Sequence, residues 1–221
     1  LRSVPSLSSA GESGSVTAEL KLGGNGIYAA AVKNGFPYKD NLAGWARPAV
    51  ERADAKLLLT GPSDAYLGAN DGITRAEFVS MLVRGLGLLP DASDTPFRDV
   101  DEDSPYSGDI ASAARAGIVN GRTADTFDPE GAISRQEMAA VLARALQFEG
   151  QRPPDGKSLK ERFGDYGSIA GYAQAPVAWL AELGILKGIA PALFDPHANV
   201  TKAQAAVAVL RALAALELAD E

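Results

Sequence analysis

A spacing pattern recurs three times in fixed register along this 221-residue chain and limits what it can fold into. An apolar position is followed 11 residues later by glycine, 14 later by a basic residue and 9 later by arginine. The copies are Val50, Gly61, Arg75, Arg84; then Ile110, Gly121, Arg135, Arg144; then Val177, Gly188, Lys202, Arg211. Three units of about 60 residues, each too small to bury its own apolar face, predict one repeat-built body in which the units cover one another.

Each unit reads as two helices around a loop. Ile110, Ala113, Ala114 and Ile118, or Val177, Leu180, Ala181 and Ile185, fall at helical spacing and define the first helix. Gly121 and Gly188 stand where a left-handed residue would close a helix or turn. Next comes Phe127-Asp128-Pro129 or Phe194-Asp195-Pro196, matched loosely by Leu67-Gly68-Ala69. Proline there fixes φ and stops a helix from running through. The second helix opens on Ile73-Thr74-Arg75-Ala76-Glu77, Ile133-Ser134-Arg135-Gln136-Glu137 and Val200-Thr201-Lys202-Ala203-Gln204. Each is a capping box, with Thr or Ser three residues before Glu or Gln and an apolar residue ahead to act as a staple.

The capping box leaves the basic residue unexplained. Arg75, Arg135 and Lys202 oppose a macrodipole whose N-terminal end already prefers acids. Two explanations stand open: an anionic ligand held where helix amides and a guanidinium converge, or an ion pair with another repeat. Arg84, Arg144 and Arg211, further along the same helices, read as partners of acids.

Composition narrows the function. A net charge of −7, from 21 basic and 28 acidic residues, argues against nucleic acid, because such binders carry a basic field. There is no cysteine, hence no disulfide or thiol chemistry. No window approaches the ~18 to 20 apolar residues that span a bilayer, and Leu1-Arg2-Ser3 does not open a signal peptide. The chain reads as a fragment or mature segment. Residues 1–35 lie outside the repeat and read as the tail of a preceding domain: a Ser/Gly-rich stretch, a strand at Val16 to Leu22, a Gly-rich turn and a second strand at Ile27 to Val32. No catalytic motif is present, and the single histidine, His197, reads as solvated. Asp99-Val100-Asp101-Glu102-Asp103 looks like the opening of a calcium loop, which makes a calcium-dependent, dockerin-like protein-binding module the alternative. That loop has Ser104 where glycine is required and Ile110 where a bidentate Glu is required.

The full pattern resembles the S-layer homology (SLH) domain. Its second copy carries Phe97-Arg98-Asp99, Ala116-Gly117-Ile118-Val119-Asn120-Gly121, Phe127-Asp128-Pro129 and Ile133-Ser134-Arg135-Gln136-Glu137. The first opens with Tyr38-Lys39-Asp40 and Trp45-Ala46, the third with Phe163-Gly164-Asp165 and Tyr172-Ala173. The resemblance implies an all-α fold of three repeats, at 36–95, 96–160 and 161–221, in a pseudo-threefold arrangement with a central three-helix bundle and grooves between units, preceded by a short β-like segment. It also implies non-enzymatic, cofactor-free, non-covalent anchoring of a secreted protein to the cell wall or S-layer of a Gram-positive bacterium. The partner would be a secondary cell wall polymer carrying pyruvate ketals on N-acetylmannosamine, bound by a monomeric module without membrane insertion.

The site residues so implied are Arg75, Arg135 and Lys202 for the pyruvate carboxylate. Asp40, Asp99 and Asp165, Trp45 and Tyr172, and Gly61, Gly121 and Gly188 would shape the sugar site. The aspartates read equally as N-caps of the first helices. Pro105-Tyr106 stands where the first copy has Trp45-Ala46, and the third copy has Lys202 and Gln204, so the three sites are unequal, with Arg75 and Arg135 foremost. Alanine at either arginine is expected to weaken binding with the fold intact.

Overall fold

The computed structural model describes residues 6–10, 16–20, 36–63, 65–91, 95–153 and 162–219. Strand β1 (Ser6–Ala10) pairs antiparallel with β2 (Val16–Leu20), Ser6 opposite Leu20. The strand expected at Val16 therefore exists, but its partner is the serine-rich run, whose backbone supplies ladder donors and acceptors as well as any other. Ile27 to Val32 lies outside the described residues. The start of β1 is tied to the helical body: the Ser6 amide donates to the Leu218 carbonyl at 3.1 Å, and Lys56 Nζ donates to both the carbonyl and hydroxyl of Ser6.

The remainder is helical. The first helices of the units are α1 (Arg47–Ala55), α3 (Ser107–Arg115) and α5 (Gly171–Glu182); the second are α2 (Arg75–Gly85), α4 (Arg135–Phe148) and α6 (Lys202–Ala215). Glycine closes α3 and α5, but earlier than expected: Gly117 (φ 69°) and Gly184 (φ 72°) take the left-handed conformation, and Gly121 and Gly188 do not. Leu57 takes it after α1 at φ 55°, at a cost of about 1–2 kcal/mol. The loosely matched first-copy turn has the same backbone as the others, because Gly68 shares positive φ with Asp128 and Asp195.

Thr74, Ser134 and Thr201 cap α2, α4 and α6, each in a complete capping box with Glu77, Glu137 or Gln204. The apolar residue before each cap closes a ring between units. The Ile73 amide donates to the Val200 carbonyl (2.9 Å), Val200 to Ile133 (3.0 Å) and Ile133 back to Ile73 (3.4 Å), with all three side chains buried.

Packing follows the same cycle. The first helix of each unit lies on the second helix of the unit before it: α3 on α2, α5 on α4, and α1 on α6, while α6 also touches α2 and α4. Phe78, Phe127, Phe194, Leu82, Leu142 and Leu146 are among the largest fully buried side chains. Burying a side chain of this size stabilises by about 1.5–3 kcal/mol, and the guanidinium groups of Arg75 and Arg135 show that Phe127 and Phe194 are covered in part by a neighbouring unit. No described helix is long and apolar enough to cross a membrane.

Candidate functional site

The three basic residues sit at the seams with their first-turn amides already bonded. Arg75 and Ala76 donate to the carbonyls of Gly131 and Pro129; Arg135 and Gln136 to Ala198 and Pro196; Lys202 and Ala203 to Asp71 and Ala69. The third amide of each helix goes to its cap hydroxyl. The helix amides are thus spent on the next unit's loop, and any anion must be caught by side chains.

The side chains of the cations reach into that same next unit. Arg75 Nε donates to the Phe127 carbonyl (2.9 Å) and Nη2 to that of Asn120 (3.3 Å), with the guanidinium 4.8 Å from the Phe127 ring centre. Arg135 repeats this with the carbonyls of Phe194 and Lys187, both at 2.8 Å, and the Phe194 ring at 4.7 Å. Lys202 Nζ reaches the Thr60 carbonyl at 3.5 Å. Burial lowers the pKa of Arg75, opposed by Glu137 and reinforced by Arg122; burial likewise lowers that of Arg135, opposed by Asp195 and Asp165.

The counter-ions distinguish the three seams. Each capping-box acid uses one oxygen on the cap amide and has a second to give. Glu77 gives it to Lys202 at 2.8 Å; Glu137 gives it to Arg122 at 2.8 Å and Arg75 at 3.5 Å. In the third box the residue is Gln204, which carries no charge. Arg135 consequently has carbonyl partners but no carboxylate within ion-pair distance among the described residues.

Asp40, Asp99 and Asp165 neither cap a helix nor lie free. α1, α3 and α5 have no side-chain cap. Each aspartate instead clips its own unit's loop with both oxygens: Asp99 accepts from the amides of Phe127 and Asp128 (both 2.7 Å), Asp165 from Phe194 and Asp195 (3.0 and 2.7 Å). Asp40 accepts from Leu67 and Ala69 (2.8 and 2.7 Å), one residue further on, where the other copies have a proline without a donor. Burial raises the pKa of Asp99, but hydrogen bonds from Phe127, Asp128 and its own amide hold it below the ordinary 3.8. A carboxylate with a depressed folded pKa contributes stability above its unfolded value and loses it as the pH falls through the folded one. Asp99→Asn is therefore expected to reduce the melting temperature at pH 7 and to narrow its difference from wild type below pH 3.8, as measured by calorimetry across that range.

Gly61, Gly121 and Gly188 are needed for space. A Cβ on Gly61 would lie 2.6 Å from the Tyr66 carbonyl oxygen, and one on Gly188 2.6 Å from that of Leu193; on Gly121 it would collide with the carbonyls of Thr123 and Thr126. These glycines let the loop fold back so that the carbonyl just before each one meets the neighbouring cation. Trp45 and Tyr172 are exposed at 61% and 55%, each near the start of a first helix. Tyr172 lies within electrostatic reach of Glu137, Arg75, Arg122 and Arg144; burial and Glu137 raise its pKa and the arginines lower it.

A family model described as S-layer homology domain matches residues 38–79, 96–139 and 162–206, more than half of the chain. The chain belongs to the S-layer homology family. It is 33% identical to an endoglucanase of Bacillus sp. (strain KSM-635) over 78% of this chain and 18% of that protein. It is 32% identical to an S-layer protein of Bacillus licheniformis over 87% of this chain and 21% of that protein, and 26% identical to the surface-layer 125 kDa protein of Lysinibacillus sphaericus over 85% and 15%. The chain thus spans about a fifth or less of the length of these relatives. The SLH domain is a binding module of cell-surface anchoring.

The matches cover the three cations, the three aspartates, Trp45 and Tyr172. The partners across the seams are what the sequence did not disclose: Phe127 and Phe194 beneath the guanidinium groups, the second oxygen of Glu77 and Glu137, and Arg122, which has no basic counterpart in the other repeats (Pro62 and Ile189). The only signal that could have found them was the charge difference between Glu137 and Gln204. Among the described residues no group of three His, Cys, Asp or Glu side chains is placed to hold a metal ion, and both oxygens of Asp99 are occupied by loop amides, which disfavours the calcium-loop alternative.

Proposed function

We propose that these SLH repeats hold a secreted protein non-covalently on the cell wall of a Gram-positive bacterium by binding a secondary cell wall polymer through its pyruvate ketals. The observation that carries this reading is Arg135: its guanidinium is oriented by two carbonyls and a phenyl ring, and in the repeat register the position that supplies glutamate to the other two seams is neutral Gln204. A ketal carboxylate is the anion that this guanidinium lacks. Arg75 is the second site, already shared with Glu137, and Lys202 the weakest, because its charge is taken by Glu77.

The aromatics complete the grooves in this reading. Tyr172 opens α5, which lies on α4, and stands near Arg75 and Glu137. The same relation, carried to α1 on α6, would bring Trp45 to the seam of Arg135 and Gln204, where its exposed ring would supply an apolar face to the sugar. Asp40, Asp99 and Asp165 and the three glycines act by shaping the loops. One chain carries all three seams, so a monomer suffices. The attached cargo is a surface-layer protein or an enzyme, since the relatives include S-layer proteins and an endoglucanase.

The test is calorimetric titration of the chain with N-acetylmannosamine carrying the ketal, against the same sugar without it. Binding of the ketal form alone is expected; equal binding of both, or of neither, would overturn the carboxylate-clamp reading. Gln204→Glu supplies the missing counter-ion and is expected to weaken ketal binding about tenfold with no loss of melting temperature.

A further inference from the structure

The α4–α5 seam has a cation whose acid is gone. At the corresponding α2–α3 seam Arg84 faces Asp109 at 3.5 Å, and Asp109, which is buried, also accepts from the Ser80 hydroxyl at 2.6 Å. In the register of the third unit, Asp109 becomes Pro176; one unit along the second helix, Ser80 becomes Ala140 and Arg84 becomes Arg144. The arginine is kept, while the acid that would face it and the hydroxyl that would hold that acid are replaced by Pro176 and Ala140. At the remaining seam Arg211 is exposed and donates to the Ile185 carbonyl at 3.4 Å. Arg144 is half-buried and has no ion pair or hydrogen bond among the described residues.

The missing groups leave space. A pocket of about 140 Å³ opens there, lined among others by Ala140, Arg144, Gln147, Tyr172, Pro176 and Trp179. An apolar cavity of about 150 Å³ is known to take benzene, so a space of this size accepts a six-membered ring. The lining combines two aromatics and a proline, suited to the apolar faces of a sugar, with one amide for hydroxyls and one unmatched guanidinium. Tyr172 is at once a wall of this pocket and within electrostatic reach of Arg75 and Arg122, so it stands between the pocket and the Arg75 seam.

We propose that this pocket is a second subsite, for a carboxylate-bearing sugar ring, in which the ligand's carboxylate stands opposite Arg144 as Asp109 stands opposite Arg84. It extends the wall-polymer reading and rests on it for the source of the ligand: a polymer bound at Arg75 would pass Tyr172 and place a neighbouring acidic residue here. The recognition itself is separate from the ketal clamp, since it uses Arg144 and neither of the capping-box cations Arg75 and Arg135.

The experiment titrates the chain with methyl β-D-glucuronide, with methyl β-D-glucoside as the uncharged control, and follows the Trp179 indole resonance by NMR. The glucuronide is expected to shift that resonance and the glucoside to leave it unmoved. Arg144→Gln should weaken the glucuronide response at least tenfold. Pro176→Asp, which restores the acid, should do the same, and unchanged melting temperatures would exclude unfolding. No shift with the glucuronide, or the same response in both variants as in wild type, would overturn the proposal. The ketal sugar separates the two readings. Glucuronide binding without ketal binding sinks the wall anchor and leaves this subsite, whereas ketal binding without glucuronide binding sinks the subsite alone.

Discussion

Arg135→Ala should lose ketal binding at its groove and about 2–4 kcal/mol of stability together. The side chain is 6% exposed and satisfies the carbonyls of Phe194 and Lys187 across a seam, so truncation strands two acceptors and vacates the face of a phenyl ring. The expectation that alanine would leave the fold intact is therefore revised: these buried arginines hold units together. Arg135→Lys separates the two roles. Lysine retains the charge and one carbonyl bond but lacks the planar fork, as Lys202 does, so it should recover much of the stability and still bind the ketal about tenfold more weakly. Thermal melts and calorimetric titration of both variants check this. An alanine variant that melts like wild type would refute the structural half, and a lysine variant that binds like wild type would refute the bidentate half.

Phe127→Ala should be the most destabilising single truncation, at about 3–5 kcal/mol and roughly 10 °C in melting temperature. The residue is fully buried, its ring lies 5.3 Å from Phe97 and 4.8 Å from the Arg75 guanidinium, and its backbone bonds both Asp99 and Arg75. The ring thus joins a loop of the second unit to a helix of the first. Because the damage is at a seam, the loss should appear as one cooperative transition shifted downward in calorimetry. A split melt, with one unit unfolding alone, would contradict the interlocked packing.

The sequence disclosed what is written locally. Capping boxes are set by residues three apart, and all three formed. The register also identified Leu67-Gly68-Ala69 as the counterpart of Phe-Asp-Pro, and the shared left-handed residue bears that out. It misled where a role depends on a partner in another unit. Gly121 reads as a left-handed closing residue because glycine so often serves there, yet the residue that turns the chain is Gly117, and Gly121 is small because two carbonyls approach it. Asp99 offered a choice between cap and ligand contact, and its actual partners, two loop amides 28 and 29 residues away, lie beyond any local rule. Among the described residues, the acid expected beside each later arginine is found for Arg84 alone: Arg211 uses a carbonyl, and Pro176 takes the register position of the acid for Arg144.

The seating of α1 on α6 has a consequence for how such a module can vary. An open stack of repeats can gain or lose a copy at either end, because each added unit needs only the face of the last. Here the first unit covers the last, and the ring through Ile73, Val200 and Ile133 admits no vacancy. Deleting one unit would uncover two apolar seams at once and invite two shortened chains to complete each other. Copy number is consequently fixed at three, and a chain emerging from its N-terminus cannot finish its first unit until the final helix arrives.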